Sequence, residues 1–258
     1  MPTLSSDHAQ IFFQCYGDAE KPALIFSNSL GTQHSMWHAQ IEFFKQDYYI
    51  VCYDTRGHGQ SSAPQGPYTL EQLGNDVIAV LDHLKIEQAD FCGISMGGLT
   101  GQWLAIHYPH RFKHVIVCNT AAKIGQAQAW LDRAQAVREN GLQSIADSAA
   151  TRWFTPAFIQ NNPSTVQQLS QQLAQGNAEG YASCCEALAH ADLTAELSTI
   201  EVPVLIIAGQ QDPVTTVADG KIMQQKILQS QLFEINASHI SNIEQPNAFN
   251  QAVQDFIQ

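Results

Sequence analysis

The five residues Gly93-Ile94-Ser95-Met96-Gly97 constrain this chain more than any others. Before them, the apolar stretch Ala89-Asp90-Phe91-Cys92 reads as a short strand; after them, Leu99, Trp103, Leu104 and Ile106 follow a helical pattern. A strand that turns at once into a helix holds its middle residue in a strained backbone conformation, and glycines on either side leave room for the turn. Ser95 would then stand at the end of a sheet, placed to attack a carbonyl. The backbone N–H of Met96, at the positive end of the new helix, would face the developing oxyanion. Small residues around a serine also arise by chance, so the pattern draws its force from its context and from two partners further along.

The first partner follows a strand expected over Val202 to Ala208, in Gly209-Gln210-Gln211-Asp212-Pro213. A carboxylate just past a strand's C-terminal end can orient a histidine. The second follows the strand Gln231 to Ile235, in Asn236-Ala237-Ser238-His239. Taken singly, Asp212-Pro213 could open a turn and His239 could be one of ten histidines. Taken together, the order Ser95, Asp212, His239 is that of an α/β-hydrolase triad, whereas chymotrypsin-like and subtilisin-like chains order the same residues differently. His239 would take the Ser95 proton and later return it to the leaving group, and Asp212 would fix the imidazole tautomer.

The rest of the chain suits that architecture. Strand candidates at Ile11 to Tyr16, Ala23 to Phe26, Tyr48 to Tyr53 and His114 to Cys118 join those already named, with helix-like segments between. This alternation predicts an α/β fold: a mostly parallel sheet of about eight strands with helices on both faces. The first strand is expected to form an antiparallel hairpin with the residues before it. Thr69 to Leu84 is the clearest helix, with a Thr69/Gln72 capping box and Leu73, Val77, Val80, Leu81 and Leu84 along one face. Between Ala122 and Ser198 the rhythm breaks into Ala- and Gln-rich helical periodicity. That stretch predicts a helical cap (122–198) inserted before the last two strands of a core made of 1–121 and 199–258.

Composition narrows the partners. An apolar fraction of 45% suits a sizeable core, and a net charge of −12 offers no basic stripe for nucleic acid or an anionic membrane. No apolar stretch approaches the ~20 residues that span a bilayer, and the N-terminal residues show no signal-peptide pattern. Of the six cysteines, Cys52, Cys92 and Cys118 lie in apolar strand patterns, Cys184 and Cys185 are adjacent, and no C-x-x-C spacing occurs. Reduced thiols and a cytoplasmic location are expected.

Other motifs point away from cofactors. His34 and His38 are four apart, but no glutamate or third ligand completes a metal site. Asp54-Thr55-Arg56-Gly57-His58-Gly59 follows a strand and reads as loop scaffolding, with Arg56 as a structural hydrogen-bond donor; its glycines do not make a dinucleotide fingerprint. Ser27-Asn28-Ser29-Leu30-Gly31 occupies the place where α/β-hydrolases supply a second oxyanion donor, and the Leu30 N–H is the candidate, paired with that of Met96. Many of those enzymes carry His-Gly there, but the chemistry needs only a backbone donor.

These segments, with Cys118-Asn119-Thr120-Ala121-Ala122, Arg152-Trp153-Phe154-Thr155-Pro156, Glu179-Gly180-Tyr181-Ala182-Ser183-Cys184-Cys185 and His239-Ile240-Ser241-Asn242-Ile243-Glu244-Gln245-Pro246, give the chain a resemblance to the 3-oxoadipate enol-lactonases that runs nearly end to end. The elbow and the Arg-Gly-His-Gly loop are shared widely among α/β-hydrolases; the cap segments and the Ser-Asn-Ser-Leu-Gly-Thr loop are more particular. The resemblance implies opening of a five-membered enol-lactone with a carboxymethyl arm, in bacterial catechol or protocatechuate breakdown, through an acyl-enzyme and without metal or organic cofactor.

Such a substrate is a small anion, and the acidic protein would not steer it, so a local cation is expected to hold its carboxylate. Only 12 Lys and Arg exist, and Arg133 and Arg152 lie in the cap with Trp130 and Trp153 close by in sequence. Arg133 with Trp130 is the candidate clamp; the alternative is solvated arginines and aromatic cap packing. The same triad also serves carboxylesterases, cofactor-free perhydrolases and C–C bond hydrolases, and some proteins of this fold act as ligand receptors.

Overall fold

The computed structural model describes residues 2–258; Met1, the first residue of the expected core, lies outside them. Its centre is one eight-stranded sheet in the order β1-β2-β4-β3-β5-β6-β7-β8. The strands are β1 (Thr3–Ser6), β2 (Ala9–Tyr16), β3 (Ala23–Ser27), β4 (Tyr49–Tyr53), β5 (Ala89–Ile94), β6 (Phe112–Cys118), β7 (Val204–Gly209) and β8 (Ser230–Ile235). The expected N-terminal hairpin is present: β1 pairs antiparallel with β2 around Asp7 and His8, both at positive φ. β2 is antiparallel to β4, and every later pairing is parallel. β7 starts two residues later than the apolar pattern suggests because Pro203 has no N–H to give a ladder.

The helices are α1 (His38–Phe44), α2 (Leu70–His83), α3 (Met96–His107), α4 (Ala127–Asn140), α5 (Gln143–Asp147), α6 (Ala149–Trp153), α7 (Pro156–Asn161), α8 (Pro163–Ala174), α9 (Ala178–His190), α10 (Val217–Lys226), α11 (Ser241–Glu244) and α12 (Pro246–Ile257). Thr69 caps α2, with both hydrogen bonds of the capping box made to Gln72. None of the helices among the described residues is long and apolar enough to cross a membrane.

Strand alternation shows how the sheet is covered. Ile25 pairs with Phe91 and Phe26 with Cys92, so Phe26 and Phe91 point to opposite faces. Phe26 stacks on Trp37, which packs on Phe249 of α12. On the other face a Cβ placed on Gly101 of α3 would meet the Phe91 ring at 2.6 Å. Helices therefore cover both faces and bury β3, β5 and β7 completely.

Six helices, α4 to α9, lie between β6 and β7, where the break in rhythm places them. α4 and α9 are joined by Arg138, which binds Glu179 at 2.8 Å and Glu186 at 2.7 Å. This helical segment meets the sheet-based part at backbone distance: a Cβ on Gly180 would sit 2.3 Å from the Cα of Gly57, and Gly57 holds φ +78°. Alanine is the better helix former by about 1 kcal/mol, but two backbones leave no room for a methyl group. Gly180→Ala is expected to destabilise the fold by about 2 kcal/mol net, read from the midpoint of urea unfolding at unchanged slope.

Candidate active site

Ser95 sits between β5 and α3 at φ 55° and ψ −115°, a conformation that costs a side-chain-bearing residue roughly 1–3 kcal/mol. Neighbouring bonds hold it there. Its N–H donates to the Cys118 carbonyl at 2.9 Å, and its carbonyl accepts from Leu99 N–H at 2.9 Å and Thr120 Oγ1 at 2.8 Å. The flanking glycines are needed for space: a Cβ on Gly93 would meet the Gly97 carbonyl oxygen at 2.2 Å, and one on Gly97 the Ser27 carbonyl oxygen at 2.3 Å.

Met96 is the first residue of α3, where a backbone N–H has no intrahelical acceptor; the N–H of Gly97 is taken by the Asn28 carbonyl at 3.1 Å. The Asn28 side chain anchors the facing loop. Its Nδ2 donates to the Tyr53 carbonyl and its Oδ1 accepts from Trp37 Nε1, each at 2.9 Å. The asparagine thus fixes the loop by its amide, and the following Ser29 and Leu30 reach the cavity wall.

His239 is 4% exposed and Asp212 6%. His239 Nδ1 donates to Asp212 Oδ2 at 2.8 Å, which leaves Nε2 for proton exchange. Asp212 is ringed by donors: Val214 N–H at 2.8 Å and Thr215 N–H at 3.1 Å on Oδ1, Thr215 Oγ1 at 2.9 Å and Asn119 Nδ2 at 3.0 Å on Oδ2. Burial alone would push its pKa up, but the His239 charge and the hydrogen bonds from His239, Asn119 and Val214 outweigh it and hold the carboxyl below its ordinary value. It is a carboxylate at neutral pH.

Ser95 and His239 open onto one cavity of about 260 Å³, together with Leu30, Trp130, Arg133, Arg152 and Trp153. Met96 is buried and does not line it, and Asp212 lies behind His239. Arg133 lies over the Trp130 ring with Cζ 4.7 Å from its centroid. Arg152 donates to the Ile145 carbonyl at 3.0 Å and Ser148 Oγ at 2.6 Å. Burial pushes the Arg152 pKa down and the nearby Arg133 charge adds to that. In contrast with Arg138, neither of these arginines is tied to a carboxylate among the described residues.

Other expectations resolve simply. Arg56 forms a buried pair with Asp76 through two 2.7 Å bonds, the structural role read for it. His34 lies in a 3-10 turn ahead of α1 and gives Nδ1 to Asp54 at 2.8 Å, so it shares no helix with His38. All six cysteines are free.

Sequence reasoning missed Asn119. It stands just past β6 at φ 45°, a left-handed conformation that asparagine tolerates. Besides Asp212 it binds the Ser238 carbonyl at 3.0 Å and accepts from Ser241 Oγ at 2.5 Å, so one amide joins the carboxylate to the chain flanking His239. The available signal was a polar residue at the C-terminal end of an apolar strand. Glu244 was missed too: buried, it accepts from Ser238 N–H at 2.9 Å and from the Thr155 hydroxyl, linking the helical segment to the His239 loop.

The family model for the alpha/beta hydrolase fold matches residues 22–246. 3-oxoadipate enol-lactonase 2 of Acinetobacter baylyi is 64% identical over 252 residues, covering 98% of this chain and 94% of that protein. 3-oxoadipate enol-lactonase 1 of the same organism is 50% identical over 244 residues, covering 95% and 91%. Among solved structures, the enol-lactonase from Burkholderia xenovorans LB400 matches with a TM-score of 0.97 at 42% identity, covering 99% of each chain. The chain belongs to the α/β-hydrolase family and, within it, to the group of the 3-oxoadipate enol-lactonases.

Asn119→Gly keeps the left-handed backbone and deletes the amide. A hydrogen bond to a charged group contributes about 1.5 kcal/mol, so phosphonylation of Ser95 by a fluorophosphonate is expected to slow about tenfold, followed by intact-mass time courses.

Proposed function

We propose that this protein is a serine hydrolase that opens the enol-lactone of 3-oxoadipate, with Ser95 as nucleophile, His239 as general base and acid, and Asp212 as the carboxylate that orients it. The observation that carries the reading is a single cavity lined by Ser95 and His239 and by two arginines without carboxylate partners. Likeness to two 3-oxoadipate enol-lactonases over more than nine-tenths of the chain supports the choice of lactone.

Ser95 Oγ attacks the lactone carbonyl carbon while its proton passes to His239 Nε2. Asp212 stabilises the imidazolium, and the tetrahedral oxyanion accepts from the N–H groups of Leu30 and Met96. The ring C–O bond then breaks. The departing oxygen leaves as an enolate, a better leaving group than an alkoxide, and takes the proton from His239. The freed enol becomes a ketone while the other half stays esterified to Ser95. Water, deprotonated by His239, attacks the ester; the Ser95–acyl bond breaks, the serine recovers its proton and 3-oxoadipate departs.

Arg133, supported on Trp130, is the clamp for the substrate carboxylate, with Arg152 and Trp153 completing that wall. A cation in an acidic protein matters here because long-range steering of an anion is unfavourable. Residues 122–198 serve as a cap that keeps solvent from the acyl-enzyme, over a core of 1–121 and 199–258. Free thiols at all six cysteines and likeness to two 3-oxoadipate enol-lactonases support a cytoplasmic place in aromatic-compound breakdown.

Two substitutions test the reading. Ser95→Ala is expected to lower kcat for the enol-lactone by at least about 10⁴-fold, followed by loss of its ultraviolet absorbance. Arg133→Ala is expected to raise KM about tenfold or more, the loss of a charged hydrogen bond, while Arg111→Ala, remote from the cavity, leaves it unchanged. Equal effects of the two would remove the clamp.

A further inference from the structure

The loop Asp54-Thr55-Arg56-Gly57-His58-Gly59 does not line the cavity, yet its hydrogen bonds end on the segment that does. Asp54 Oδ1 accepts from the backbone N–H of His34 at 2.7 Å and from its Nδ1 at 2.8 Å. The Tyr53 carbonyl, one residue earlier, accepts from Asn28. Midway between these anchors, His58 Nε2 accepts the backbone N–H of Gly31 at 2.9 Å. The turn carrying Ser29 and Leu30 is therefore held at both ends and in its middle by the chain leaving β4.

His58 is fitted for this. It is 6% exposed, and burial pushes its pKa down, so it remains neutral. With Nε2 accepting, the ring proton sits on Nδ1, which faces the Arg56 carbonyl at 3.3 Å. The Arg56 side chain is itself fixed by Asp76. Gly57 lies against the Gly180 backbone, so the loop has no space in which to relax. On the other side, Gly31 holds φ +80° and a Cβ there would meet Leu173 Cδ1 at 2.8 Å. The Leu30–Gly31 peptide unit is thus gripped from both directions.

We propose that His58 is a positioning residue for the oxyanion hole: by accepting the Gly31 N–H from outside the cavity, it sets the orientation in which the neighbouring Leu30 N–H meets the tetrahedral intermediate. This rests on the serine-hydrolase reading above. The oxyanion exists only on the way to and from the tetrahedral intermediate, so loss of the His58 acceptor raises the barrier and leaves ground-state binding alone. The kinetic mark is a fall in kcat at steady KM.

The test compares His58→Leu, which removes the acceptor, with His58→Gln, whose amide oxygen can reach the position of Nε2. Each is assayed for kcat and KM on the enol-lactone. Each is also assayed for inhibition by phenylboronic acid and by adipate. The boronic acid takes the Ser95 oxygen onto boron as a tetrahedral anion while the serine proton passes to His239, so it needs the oxyanion hole; adipate, a dicarboxylate, binds without forming one. His58→Leu is expected to lose at least about tenfold in kcat and in boronate affinity, with KM and adipate inhibition within about threefold of wild type. His58→Gln is expected to regain most of the kcat. His58→Asn is folded-state insurance, since its shorter amide stays polar but cannot reach Gly31; it is expected to match the leucine variant. Wild-type kcat in the Leu or Asn variant, equal loss of boronate and adipate affinity, or a Gln variant no better than Leu would overturn the proposal. Ser95→Ala run in parallel separates the two claims. Turnover surviving there would sink the hydrolase reading, whereas a dead Ser95→Ala beside a fully active His58→Leu would sink only the positioning role.

Discussion

The turn from β5 into α3 is the constraint on which the site depends. It holds Ser95 at positive φ, a state that costs energy in any residue with a side chain and persists only where surrounding contacts over-determine it. Those contacts come from two sides. The Cys118 carbonyl and Thr120 hydroxyl hold the Ser95 peptide groups from the β6 side. The Asn28 carbonyl takes the Gly97 N–H from the β3 side. Glycines at 93 and 97 let these backbones approach closer than any Cβ would permit. The same packing that creates the strain sets the first turn of α3 beside the loop after β3, where the Gly97 N–H meets the Asn28 carbonyl.

Around that turn, buried polar side chains connect the loops at the C-terminal ends of the strands. Asn119 joins Asp212 to the chain around His239; Glu244 joins that chain to Thr155; Asp54 and His58 join the loop after β4 to the loop after β3. Each such group would be costly to bury alone and is satisfied by several donors or acceptors. The arrangement explains how loops, ordinarily the mobile part of an α/β fold, can hold reacting groups in fixed relation. It also couples the helical segment to the site directly, since Ile240 N–H donates to the Trp153 carbonyl at 3.0 Å within one residue of His239.

Much of this was legible in the residues. Runs mostly β-branched or aromatic marked β2 to β8, Thr69 and Gln72 marked the start of α2, and the Gly-x-Ser-x-Gly turn marked the elbow. Ser95, Asp212 and His239 were singled out jointly by the elbow motif, their order along the chain and their places after strands; the structure sets Ser95 and His239 on one cavity and Asp212 against His239. β1 was legible only as the partner that β2 required, because a four-residue edge strand alternating exposed and buried carries almost no hydrophobic signal. Asn119, Glu244 and the acceptor role of His58 were not legible. Their partners lie between 6 and 93 residues away for the bonds Ser238–Glu244, Gly31–His58 and Asn119–Asp212, and hydrophobic periodicity records burial rather than the pairing of polar atoms. Separation of Arg133 and Arg152 from Arg138 likewise needed three dimensions, since only the fold shows which of these arginines is neutralised by glutamates.

The most direct measurement is a titration of the intact protein with a fluorophosphonate, with the modified residue located by peptide mass and enol-lactone turnover measured at each step. The account requires one equivalent on Ser95 and loss of turnover in proportion to the fraction modified. Complete modification of Ser95 with turnover intact, or inactivation with the label on another residue, would contradict it.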